Sequence, residues 1–206
     1  MAKKVLIAVL VIMTVFSASV FARDGFENYS GLSAGYGFSN ATFTDGLELK
    51  ESCNPLVFSA IDYAFFNDSV FGGFAEIGVT IPLNYKLMGT PDDSGVTGVF
   101  CALGPAFKFE LGGNFSLLVD AGFHFYGTSV TYGDVRYKRS YFGAGVGAQA
   151  SYKLGRYFAI NLGATASYYF ANYSKEEHRW GPSENISYTS YSEFRVLPKI
   201  AGYYVY

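Results

Sequence analysis

The 206-residue chain has little charge, two cysteines and one tryptophan, and after its first two dozen residues it has no long apolar run. Charged residues make up 16% of it and aromatics 19%. With 15 basic against 17 acidic side chains there is no positive excess, which excludes a basic nucleic-acid face. Cys53 and Cys101 lie too far apart for a C-x-x-C motif, which removes that metal or redox signature. H-E-x-x-H does not occur, so that metalloprotease signature is missing. A membrane helix needs about 20 apolar residues, and no segment beyond the start supplies them. The bulky apolar groups therefore need another kind of element.

The first 22 residues stand apart. Lys3 and Lys4 precede an apolar run from Val5 to Phe16, and the segment ends Val20-Phe21-Ala22. Basic, then apolar, then small is the order of a secretory signal peptide, with cleavage expected after Ala22 and the mature chain starting at Arg23. No cysteine follows the run, so a lipoprotein anchor is not expected. Residues 1–22 thus read as a signal peptide and 23–206 as one domain.

Within 23–206 the dominant pattern is alternation, the period of a strand with two unlike faces. Phe158, Ile160, Leu162, Ala164, Ala166, Tyr168 and Phe170 alternate with Ala159, Asn161, Gly163, Thr165, Ser167 and Tyr169. Seven further segments behave alike: 32–39, 57–65, 74–83, 99–109, 117–126, 141–152 and 194–206. In 57–65, the apolar face is read as Val57, Ile61, Tyr63 and Phe65, opposite Phe58, Ala60, Asp62 and Ala64. Short links (Asn67-Asp68-Ser69, Gly112-Gly113-Asn114, Leu154-Gly155-Arg156) alternate with longer polar ones, 44–54, 86–95, 128–139 and 172–187. Phe65, Phe71, Phe109, Phe115, Tyr152 and Phe158 sit beside the short turns. Phe38, Tyr85, Phe125, Phe142, Phe170 and Phe194 sit toward the long links. Two aromatic rows and alternating link lengths predict an all-β, eight-stranded antiparallel up-and-down transmembrane barrel, with interface girdles and outward long loops.

The signal peptide, the eight alternating segments and the terminal face Gly202, Tyr204, Tyr206 resemble the small bacterial outer-membrane barrels, the group of OmpX, OmpW and the membrane domain of OmpA. The resemblance implies the outer membrane of a diderm bacterium, contact with its lipid, and a terminal aromatic strand read by the barrel-assembly machinery. It also implies a non-enzymatic surface protein, structural or presenting its loops to extracellular ligands. Two other roles in such barrels stay open: a narrow channel for small hydrophobic molecules, and a lipid-modifying enzyme. A soluble lipocalin, also eight-stranded, is disfavoured, since the single tryptophan, Trp180, falls in the last long link.

The candidate site residues follow from the faces. Asp62, Glu76, Lys108, Asp120, His124, Arg195 and Lys199 occupy the small-residue face and are expected in the lumen, where isolated charge is costly and mixed signs imply ion pairing. An eight-stranded interior is about wide enough for side chains, so filling is preferred to a pore. Gly143-Ala144-Gly145-Val146-Gly147-Ala148 matches a dinucleotide fingerprint but lies within a strand, without the helix that motif requires. His124 follows Asp120 on one face, and His178 falls near Glu176 and Glu177; lumen filling and a solvated loop are preferred to catalysis. No cofactor or metal is expected. Cys53 and Cys101 are placed too far apart for a bridge. Pro105 and Pro198 deny the ladder a donor and mark either a bulge or a lateral gap in the wall.

Overall fold

A computed structural model describes residues 26–45, 47–66, 69–91, 97–132, 135–178, 184–186 and 190–206. The expected signal peptide, its cleavage point and Trp180 lie outside these residues, as does the His178 side chain. The elements are β1 (Phe26–Tyr36), β2 (Phe38–Asp45), β3 (Leu47–Phe66), β4 (Phe71–Leu87), β5 (Thr90–Pro91), β6 (Thr97–Gly112), β7 (Phe115–Tyr132), β8 (Val135–Lys153), β9 (Phe158–His178), β10 (Glu184–Ile186) and β11 (Ser190–Val205). β1 and β2 are two halves of one stave, and β5 and β10 are short hairpin partners, which leaves the eight staves expected from the alternation. All neighbours pair antiparallel. The ring closes because β11 pairs with β9 on one side and with β1 and β2 on the other. No described helix is long and apolar enough to cross a membrane; the closed ladder is the alternative way to satisfy backbone groups in lipid.

Seven staves present the predicted faces. Leu32, Ile77, Leu103, Phe123, Val146, Leu162 and Ile200 point outward and are exposed. The lower aromatic row packs edge to edge around the short-turn end: Phe71 with Phe107 at 5.6 Å, Phe115 with Tyr152 at 4.7 Å, and Tyr204 with Phe158 at 5.6 Å. At the turn after β6, Gly112 and Gly113 take φ of 102° and 60°, left-handed values that suit glycine.

β3 is reversed. The Ser33 and Ser59 hydroxyls meet at 2.5 Å inside the ring, and the Tyr63 hydroxyl donates to Asp120 at 2.8 Å. Val57, Ile61, Tyr63 and Phe65 therefore line the interior, while Phe58, Ala60, Asp62 and Ala64 face outward. The reason is that the short-turn half of the lumen is filled by aromatics rather than by small polar groups. Tyr29, Tyr63, Phe65, Phe74 and Tyr203 pack there with Leu118. A single aspartate was a poor guide to the inner face of a stave that is apolar on both sides. Phe66 points outward in place of Phe65.

The polar links are mostly strand as well. β2 and β3 remain paired up to Asp45↔Leu47, β7 and β8 up to Tyr132↔Val135, and β8 and β9 up to Val135↔His178. Among the described residues, two pairings stop earlier than the rest at that end. β6 pairs with β4 only as far as Thr80↔Gly98, and β11 with β9 only as far as Glu193↔Tyr169. Two sheets therefore continue past the ring, β11-β2-β3-β4-β5 and β7-β8-β9-β10.

Neither proline opens a gap. The β6–β7 ladder lapses between Leu103↔Phe123 and Ala106↔Asp120 without a change of register. A Cβ on Gly104 would lie 2.2 Å from the Ala121 carbonyl oxygen, and one on Gly122 2.2 Å from that of Leu103. The strands touch backbone to backbone where Pro105 withholds its donor. Pro198 pairs with Ala164 in an unbroken run of the β9 ladder. On its other side lies the break at Gly37, whose N–H donates to the Pro55 carbonyl at 3.0 Å, and Pro55 in turn pairs with Pro82. With the bulge between Ser52 and Asn54, these prolines mark the level of Phe38, where the staves leave the apolar belt.

The close approach is directly testable. Gly122→Val should cost about 1–3 kcal/mol or more by overpacking. Gly202→Val, where a Cβ meets nothing within 4 Å, should unfold in urea like the parent chain. Equal unfolding midpoints for the two variants would refute the backbone contact at Gly104 and Gly122.

Candidate functional site

The interior is a stack of polar tiers separated by aromatic ones. At the short-turn end, Lys108 and Lys153 clamp Glu27; the Lys153 Nζ distance is 2.8 Å, and the Tyr29 hydroxyl donates to the same carboxylate at 3.1 Å. The aromatic group around Tyr63 and Phe65 lies above this cluster. In the middle tier, Lys199 Nζ donates to Glu76 Oε2 at 3.0 Å and Ser59 donates to Oε1 at 2.6 Å. Beside it runs a chain in which Tyr203 donates to Gln149 (3.1 Å), Gln149 to Tyr63 (2.6 Å) and Tyr63 to Asp120 (2.8 Å).

Toward the long hairpins, Arg195 lies flat over Tyr126 at 4.1 Å and near Tyr169 at 5.4 Å, a cation–π arrangement. Its guanidinium donates to Glu193 at 2.7 Å, and that carboxylate also accepts from Tyr191 at 2.6 Å and from Ser39. Tyr141 stacks on Tyr191 at 4.6 Å. Nearest the mouth, Arg139 pairs with Glu51 at 2.7 Å. Among the described residues, Glu27, Glu51, Glu76 and Glu193 pair inside with Lys108, Arg139, Lys153, Arg195 and Lys199, while Asp120 accepts from Tyr63. One cavity of ≈40 Å³ lies under the mouth beside Cys53, Tyr85 and Arg139, and one of ≈20 Å³ lies between Glu76, His124, Thr165 and Ser167. Volumes of that size admit a few waters at most.

Of the predicted lumen residues, Glu76, Lys108, Asp120, His124, Arg195 and Lys199 are inside and buried. Asp62 is buried as well, at 4% exposure, but on the outer side of the wall, where it accepts from Ser30. Asp120 and His124 do not meet, because Asp120 takes its bond from Tyr63 while His124 Nδ1 lies 3.0 Å from Ser167 Oγ. Glu27, Glu193, Lys153 and the Glu51–Arg139 pair escaped the sequence reading. Period two from Arg195 leads directly to Glu193, but that reading stopped at the apolar boundary of each strand.

The glycine run of β8 finds its purpose here. A Cβ on Gly145 would come within 2.5 Å of the His124 ring, and one on Gly147 within 2.5 Å of the Asp120 carboxylate. The fingerprint-like spacing makes room for the large polar groups of β7. Cys53 and Cys101 are both free thiols, and no described group of His, Cys, Asp and Glu is arranged to hold a metal.

A family model described as an outer membrane protein β-barrel domain matches residues 8–192. Among solved structures, the chain is similar to Neisserial surface protein A, at 11% identity and a TM-score of 0.53 over 86% of this chain and 96% of that one. It is similar to a major outer membrane protein of Thermus thermophilus, at 15% identity and a TM-score of 0.56 over 87% and 99%. It is also similar to the outer membrane protein OprG of Pseudomonas aeruginosa, at 12% identity and a TM-score of 0.55 over 89% and 97%. At such identities the likeness is one of fold. No curated protein matches the chain in sequence.

The middle tier gives a clear test. Lys199→Met strands Glu76 in the interior and should lower stability by about 3–5 kcal/mol. Combining it with Glu76→Gln should recover most of that loss, because no uncompensated charge remains. Urea unfolding in lipid vesicles measures both; if the double variant is as unstable as the single, the two side chains are not coupled.

Proposed function

This chain belongs to the outer membrane protein β-barrel family and resides in a bacterial outer membrane, and on that basis we propose that it is a non-enzymatic, non-conducting surface barrel. The ring anchors it, and the long hairpins face the cell exterior, where they present two β-sheets to protein partners. The observation that carries this reading is the occupied lumen, in which, among the described residues, ion-paired charges and stacked tyrosines surround cavities of ≈20 and ≈40 Å³. Support for presentation comes from the sheets that continue past the ring. Among the described residues, β4 and β6 pair no further than Thr80↔Gly98, and strand edges of this kind carry backbone donors and acceptors suited to an added strand.

Two observations weigh against the competing roles. A channel for hydrophobic molecules would need a side exit, and the wall at Pro105 and Pro198 stays in contact. Catalysis by His124 would need room for a substrate, and the ring shares a ≈20 Å³ cavity with Ser167 and Glu76. Residues 1–22 are assigned as a cleaved signal peptide, and Gly202, Tyr204 and Tyr206 as the strand face read during assembly.

In planar bilayers the folded protein should give no steady conductance at moderate voltage; stepwise, sustained openings would overturn the closed-lumen reading. On intact cells a membrane-impermeant thiol reagent should label Met88→Cys and spare Asn114→Cys, in a background where Cys53 and Cys101 are replaced by serine. The opposite pattern would invert the orientation.

A further inference from the structure

The outer wall is not uniformly bulky. Across β9, β11 and β1, Gly202 pairs with Ile160 on one side and Leu32 on the other, and a Cβ on Gly202 would meet nothing within 4 Å. With strands about 4.8 Å apart, the missing side chain leaves a trough about 10 Å wide between the flanking backbones. Leu32, Ile160, Phe158, Tyr204, Ala60 and Ser30 are among the residues that line the resulting open groove of ≈870 Å³.

Next to Ser30, which lines the groove, lies the Asp62 carboxylate, itself only 4% exposed. Ser30 pairs with Tyr204 and Asp62 with Ser30, so the three share one level across adjacent strands. That level is the lower aromatic row, since Tyr204 packs on Tyr157 at 5.8 Å and on Tyr206 at 5.6 Å. Ser30 donates to Asp62 Oδ1 and lies 3.2 Å from the Tyr206 hydroxyl. Asp62 Oδ2 is buried and has no hydrogen-bond partner. Every ion pair of the middle tiers is inside the lumen, and none involves Asp62. Among the described residues no cation pairs with this anion, and one from the lipid would supply the missing partner.

We infer that this groove binds one phospholipid with a primary-ammonium head group, the ammonium meeting Asp62 at the level of the lower aromatic row and an acyl chain lying over Gly202. The charge and the apolar trough are in the order such a lipid has, head at the interface and tail toward the bilayer centre. Assignment to the periplasmic leaflet rests on the orientation proposed above; binding itself does not. The carboxylate supplies selectivity, because an anionic head group would be repelled, and the glycine supplies space.

The full chain is folded into vesicles containing equal amounts of phosphatidylethanolamine and phosphatidylglycerol, extracted in mild detergent and weighed intact by native mass spectrometry. The parent chain should retain one lipid, with phosphatidylethanolamine favoured by about fivefold, the scale of one modest ion pair. Asp62→Asn should keep a lipid and lose the preference. Gly202→Phe should lose the lipid of either kind, with Gly202→Val as the milder variant should the larger ring impair folding. An unselective or lipid-free parent chain, or a preference that survives Asp62→Asn, would overturn the inference. So would a mass of two chains, which would assign the groove to a second copy. Because the vesicles have no inside or outside requirement, failure here leaves the orientation reading untouched.

Discussion

Closure of the seam between the first and last staves is the constraint from which the rest follows. Backbone groups in hydrocarbon cannot turn to water, so each must find a partner in the chain. Here Asn28 and Tyr206 exchange both of their backbone bonds, at 2.9 and 3.1 Å, and the pairing runs on from Tyr29↔Val205 to Gly35↔Lys199. Once eight staves are closed, the bore is fixed at about the width of side chains. Charges deep on the inner face, such as Glu76, Glu193, Arg195 and Lys199, are then cut off from bulk water, and each needs a partner. The tiers built on Glu27, Glu76 and Glu193 are the consequence of a ring of that size. Aromatic layers separate the tiers and pack around the carboxylates and cations of each.

Much of this was legible in the sequence, because lipid outside and a narrow bore inside impose opposite demands on alternate residues. Where one face is large and apolar and the other small or polar, as in β9, the inner residues could be named one by one. The reading failed at β3 for a specific reason. Val57, Ile61, Tyr63 and Phe65 are as apolar as a lipid face but fill the short-turn half of the bore. The outward face carries Ala60 and Ala64, whose small size imitated a lumen face. Only long-range partners decide between the two, the Ser33 hydroxyl for Ser59 and the Asp120 carboxylate for Tyr63. No local pattern contains them.

The glycines and prolines were harder still, since their meaning lies on neighbouring strands. Gly145 and Gly147 are small because His124 and Asp120 on β7 are large. Pro105 removes a donor from the ladder, yet Gly104 and Gly122 let the two backbones close over the loss. A proline read from one strand suggests a hole; the same proline with its glycine neighbours describes a tight seam. Complementarity across strands is information the linear sequence holds but does not place side by side.

The polar segments between strands posed the reverse problem. Beyond the level of Phe38 and Phe142 both faces of a stave can meet water, so alternation no longer has a solvent difference to record. Residues 128–139 therefore looked like a loop. Yet the pairing continues, Thr128↔Arg139 up to Tyr132↔Val135, because a hairpin already held in register by the membrane part has little further entropy to lose as each added pair forms. The barrel below acts as the nucleus and the sheets above are its extensions. Their residues are then free of the burial rule that fixes the bore. Sequence there can change without disturbing closure, provided that the backbone still reaches its neighbour.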